Sequence, residues 1–67
     1  MLNLNYEMEL IINNNIVYCL DSCESTNDIY KLMWDIVSDE LDIDDEDEEK
    51  GQVFGKIIEE KLKLFDI

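Results

Sequence analysis

From Leu2 to Ile12 apolar and polar side chains alternate, with Leu2, Leu4, Tyr6, Met8, Leu10 and Ile12 at even positions and Asn3, Asn5, Glu7 and Glu9 at odd ones. A period of two places the first set on one face of an extended chain, so the segment predicts a half-buried β-strand. Asn13, Asn14 and Asn15 follow. Three residues that tolerate positive φ, set between two apolar runs, predict a tight hairpin turn. Ile16 to Leu20 is then the returning strand, with Ile16, Tyr18 and Leu20 on one face. A two-stranded sheet is marginal alone and needs a layer over its apolar side.

Asp21 to Thr26 is polar, and Ser25-x-x-Asp28 resembles a capping box with Asp in the place of Glu, so a helix is expected from about Thr26. Ile29, Leu32, Met33, Ile36, Val37 and Leu41 recur three and four apart as its core-facing stripe, with Trp34 at the border. The pattern breaks between Asp39 and Glu49, where nine of eleven positions are acidic and only Leu41 and Ile43 interrupt. Lys50 and Gly51 end that run, and Val53 to Ile67 predicts a second helix in preference to a third strand, which the alternation of Leu62, Leu64 and Asp66 would otherwise suggest. Val53 or Phe54, Ile57, Ile58, Leu62 and Phe65 would face inward, and Lys56, Glu59, Glu60 and Lys63 outward. The expected fold is one α+β domain spanning 1–67, an N-terminal β-hairpin followed by two helices (ββαα), completed by homodimerisation.

Charge changes the picture. Eighteen acids stand against five lysines, with no Arg and no His, for a formal charge of −13. Direct binding to nucleic acid or to an anionic membrane is excluded, because both need Lys and Arg against phosphate. A basic protein surface is the favoured partner. A chain this short buries only ~60% of its unfolded surface, which means one small core, or half of a core that a second copy completes. The longest apolar run, Ile16 to Leu20, is far below the ~20 residues of a membrane span, and no basic segment with an apolar stretch follows Met1. A cytoplasmic protein is expected. Cys19 and Cys23 are too few for a disulfide framework and are read as reduced thiols.

The inventory for catalysis is poor: His, the usual base at neutral pH, is missing, and so is Arg, the bidentate clamp for anions. A calcium loop starting at Asp42 would find acids at Asp42, Asp44 and Glu46. It would also find Asp47 where glycine is required and Val53 where a bidentate Glu is required. Two cysteines cannot close a zinc site alone. No enzymatic role, metal or cofactor is expected.

The acidic run remains. Like-charged blocks are often solvated loops, but this one lies between two amphipathic segments. Acids continue upstream at Asp21, Glu24, Asp28 and Asp35, and Lys31 is the only lysine in the first 49 residues. Self-repulsion on this scale destabilises a compact state, so its retention points to use. Carboxylates three and four apart on a helix stand ~5–6 Å from one another, a row of anionic oxygens that a phosphate-gripping protein can accept. The expected partner-binding residues are Asp35, Asp39, Glu40, Asp42, Asp44, Asp45, Glu46, Asp47, Glu48 and Glu49, helped by Asp21, Glu24 and Asp28.

With its length, its Asn- and Ile-rich, Arg-free composition, the acidic block from Asp39 to Glu49 and the expected ββαα order, the chain resembles the small acidic inhibitors encoded by bacteriophages that imitate duplex DNA. Among these it is most similar to Bacillus-phage inhibitors of the histone-like nucleoid protein HU. The resemblance implies a dimer that occupies the DNA-binding surface of a basic host protein in the host cytoplasm. The alternative is an acidic adaptor or antitoxin-like module that does not compete with DNA. Dimerisation is also expected from the open edges of a lone hairpin and from apolar Leu64, Phe65 and Ile67 near the terminus.

Overall fold

Met8, Ile12, Ile16 and Cys19 are buried, and their intervals of four, four and three are the spacing of a helical face. In the computed structural model, which describes residues 4–65, the first segment is accordingly one helix, α1 (Leu4–Ser22). Two more follow, α2 (Thr26–Leu41) and α3 (Glu48–Leu64).

The expected hairpin and the ββαα order are therefore wrong, for among the described residues there is no strand. Leu2 and Asn3, part of the expected first strand, lie outside those residues. The alternation that suggested a strand stops at Ile11, and Ile11, Ile12, Ile16 and Val17 place apolar side chains at both parities. A strand face takes side chains of one parity only, whereas helical steps of four and three bring Met8, Ile12, Ile16 and Cys19, drawn from both parities, onto one side. The asparagines expected to turn the chain sit inside α1, where each is only a few tenths of a kcal/mol, up to ~0.7, worse than alanine. Asn15 satisfies its amide locally by donating from Nδ2 to the Ile11 carbonyl, 2.8 Å away.

The second helix matches its expected span. Ser25 is the N-cap, its hydroxyl oxygen accepting from the Asp28 N–H at 3.2 Å. Ile29, Met33 and Val37 are buried, while Leu32, Ile36 and Leu41 pack half-buried against the core. The third helix begins at Glu48, inside the acidic run, instead of at Val53. It buries Phe54, Ile58 and Leu62 and turns Lys56, Glu59, Glu60 and Lys63 to solvent. Phe65, expected inward, is exposed.

All three helices thus supply one apolar core, which among the described residues contains no buried polar or charged residue. Phe54 joins α3 to α2, its ring 5.0 Å from that of Trp34 and 6.3 Å from that of Tyr30, the latter edge-to-face at 83°. Lys61 Nζ meets Glu9 Oε1 at 3.1 Å and so ties the last turns of α3 to the first half of α1.

Candidate functional site

The carboxylates fall into three groups once the chain is folded. Asp21, Glu24 and Asp28 are exposed around the α1–α2 junction. Asp35 and Asp39 are four residues apart on α2, about 6 Å along its axis, and run into Asp42, Asp44 and Asp45 beyond its end. These five, with Ser38 and Ile43, line an open concavity of about 300 Å³. Asp47, Glu48 and Glu49 start α3, with Glu40 and Glu46 exposed nearby. The two ends of α2 therefore carry separate acidic groups, and Lys31 lies between them on the face of Asp28 and Asp35. The structure brings the downstream acids together and leaves Asp21, Glu24 and Asp28 at the other end of the helix.

The connection from Asp42 to Asp47 has its backbone fixed. Asp42 adopts the left-handed conformation, φ 54° and ψ 47°, which Asp tolerates better than most residues. The Ile43 N–H then donates to the Ser38 carbonyl at 2.9 Å, and the Asp42 N–H to the Asp39 carbonyl at 3.4 Å. This is the Schellman pattern, and it folds Ile43 back against the core. Asp44 closes the next turn: its Oδ1 accepts from the Glu46 N–H at 3.0 Å and its carbonyl from the Asp47 N–H at 3.0 Å. Asp47 caps α3 by accepting from the Lys50 N–H at 3.1 Å, and Lys50 Nζ lies 3.6 Å from its carboxylate.

Helix electrostatics divide the acidic run. Asp47, Glu48 and Glu49 lie at the N-terminus of α3, where the macrodipole favours negative charge, so local stability explains them. Asp39, Glu40 and Asp42 lie at the C-terminus of α2, whose last turn has no basic residue. There each carboxylate opposes the dipole by ~0.3–1 kcal/mol. Asp35, Asp39 and Asp45 make no fold-building contact through their carboxylates that would offset this, and all three are exposed. Of the acids expected to bind a partner, Asp47 alone is half-buried, and its carboxylate serves as a cap.

Sequence reasoning passed over three residues that shape the site. Trp34 donates its indole N–H to the Asp45 carbonyl at 3.2 Å and so holds the turn against α2. Ser38 supplies the carbonyl that ends the helix, and its hydroxyl donates to the Asp35 carbonyl at 3.2 Å. Ile43 is the apolar anchor that keeps the acids on either side in place. A lone isoleucine within an acidic run was the signal available for it.

Cys19 and Cys23 are free, the first buried and the second half-buried. Burial, with the neighbouring Cys23, pushes the Cys19 thiol pKa up. Among the described residues no group of three or more His, Cys, Asp or Glu is arranged to hold a metal ion, and no helix is long and apolar enough to cross a membrane. Compared with protein-family models, with curated proteins and with solved structures, the chain matches none.

Proposed function

We propose that this protein is a DNA mimic: the carboxylates of Asp35, Asp39, Asp42, Asp44 and Asp45 occupy the DNA-binding surface of a basic host protein, an HU-like nucleoid protein being the favoured target. The observation that carries the reading is the pairing of a fixed backbone with three exposed acids, Asp35, Asp39 and Asp45, that fold stability does not explain. A merely solvating loop needs no left-handed Asp42, no Asx turn at Asp44 and no indole bond to Asp45. A surface that substitutes for phosphates does need its charges held in place before contact, since ordering them on binding would subtract from affinity. Glu40, Glu46, Glu48 and Glu49 extend the negative field and speed encounter with the target. In this reading the protein works in the host cytoplasm as a homodimer that presents two acidic faces, and no bond is made or broken.

Competition tests it. Labelled duplex DNA bound to purified HU is titrated with the protein at low and at high salt. Displacement that weakens steeply with salt is the expected result, because the basic target recovers its counterions as the complex dissociates. A complex with HU that forms while the DNA stays bound would favour the adaptor reading, and no complex at all would remove HU as the target.

A further inference from the structure

α1 is apolar on two sides. One stripe, Met8, Ile12, Ile16 and Cys19, is buried against α2 and α3. On the other side Tyr6, Leu10, Asn13, Val17 and Leu20 follow one another at intervals of four, three, four and three, the a/d spacing of a helix–helix seam. Tyr6 is 58% exposed, Leu10 43% and Val17 68%, while Leu20 at the end of the row is half-buried at the edge of the core. An apolar row at helix–helix spacing that the fold itself leaves exposed is a surface that a second helix can cover. We propose that a second copy of this chain covers it, α1 packing on α1 about a two-fold axis near Asn13.

Charge selects the occupant. From Leu10 to Leu20 eleven consecutive residues carry no charge, in a chain that is 34% charged. A basic partner finds no carboxylate on this stretch, whereas two copies that each carry −13 meet here with the least repulsion. The nearest acids on the N-terminal side are Glu7 and Glu9, and Glu9 is already paired with Lys61. Asn13, exposed in the middle of the seam, can place its amide against the partner's Asn13. A polar residue in such a seam fixes register at some loss of affinity.

Area sets the strength. Tyr6, Leu10 and Val17 offer roughly 300 Å² per copy, so two copies bury only about half of the ~1,200 Å² at which stable dimers begin. The dimer is therefore weak and concentration-dependent. This inference rests on the reading above for the existence of a dimer and not for the chemistry of the target.

Sedimentation equilibrium of the whole chain, from low micromolar to near millimolar concentration, tests it together with Leu10→Glu, Val17→Glu and the milder Val17→Ser. The wild type should pass from monomer to dimer, and the transition should move to lower concentration with added salt as repulsion is screened. That dependence is opposite to the one expected for a complex with a basic target. Each Glu variant should stay monomeric at every concentration while its circular dichroism remains that of the wild type, and Val17→Ser should shift the transition upward several-fold. Leu64→Glu, at a side chain 78% exposed on α3, should dimerise as the wild type does. A wild type that stays monomeric throughout ends both this inference and the dimer in the reading above. Folded seam variants that still dimerise end this inference alone, and the DNA competition is read independently of either.

Discussion

The indole N–H of Trp34, in the middle of α2, donates to the backbone carbonyl of Asp45, eleven residues further on, across 3.2 Å. The same ring lies 5.0 Å from Phe54 of α3, so a single side chain joins the core to the acidic connection. Trp34→Phe keeps an aromatic ring on Phe54 and removes the donor. The expected loss is about 1 kcal/mol, since water can take over the exposed carbonyl. Amide exchange at Glu46 and Asp47 should quicken by more than the change in global stability accounts for. Equal exchange in both proteins would mean the bond does not hold the turn.

Acids within one run should respond in opposite ways. Asp47→Ala removes the cap of α3 and should cost about 1 kcal/mol in a urea titration. Asp45→Asn removes one charge from a crowded exposed surface and should leave stability unchanged or slightly raised. In the competition with DNA the order should reverse, Asp45→Asn weakening displacement more than its effect on stability would suggest.

Asn14 is exposed inside α1. Asn14→Ala should raise stability by roughly 0.5 kcal/mol on helix propensity. In a hairpin turn the same change would lower it, because alanine resists positive φ. Thermal unfolding followed by circular dichroism distinguishes the two.

Gly51 and Gly55 lie within α3, and a Cβ added at either would meet no heavy atom within 4 Å. Each Gly→Ala substitution should therefore stabilise the protein by ~0.5–1 kcal/mol through the smaller backbone entropy lost on folding. The two are four residues apart on one helix, and measuring each alone and both together tests whether the gains add.

Alkali should unfold the protein earlier than its charge alone would. Burial pushes up the Cys19 thiol, with Cys23 adding to the effect, and burial pushes up the Tyr30 phenol, aided by the facing Glu59 carboxylate. The unfolded chain releases these protons from about pH 9.0 and 10.0, while the folded protein still holds them. Their contribution is complete below those values and declines as pH rises through the higher folded ones. The urea midpoint should fall across that range, and Tyr30→Phe should flatten the upper part of the decline.

α2 could be read from the chain because every local cue agreed: Ser25 as cap, a stripe from Ile29 to Leu41 at helical spacing, and charges on the other face. Phe54, Ile58 and Leu62 of α3 could be read from the same spacing, whereas Phe65, at the end of that helix, was expected inward and is exposed. α1 could not, because Leu4, Tyr6, Met8, Leu10 and Ile12 fit a period of two while Met8, Ile12, Ile16 and Cys19 fit a helical face. Local periodicity cannot choose between patterns that share residues. Packing against α2 and α3 chooses, since only the helix buries one stripe completely while meeting its own backbone hydrogen bonds. The acidic block was plain from composition, as was its separation from any role that requires Lys, Arg or His on an anion. Its division was not: whether a given Asp caps a helix, closes a turn or faces solvent depends on where α2 stops and α3 starts, and that was set by Ile43 turning inward and Trp34 reaching Asp45. Linear order determined how much charge the protein carries and roughly where. Three-dimensional contacts determined which carboxylates stand together, because side chains many positions apart meet only when the backbone between them is fixed.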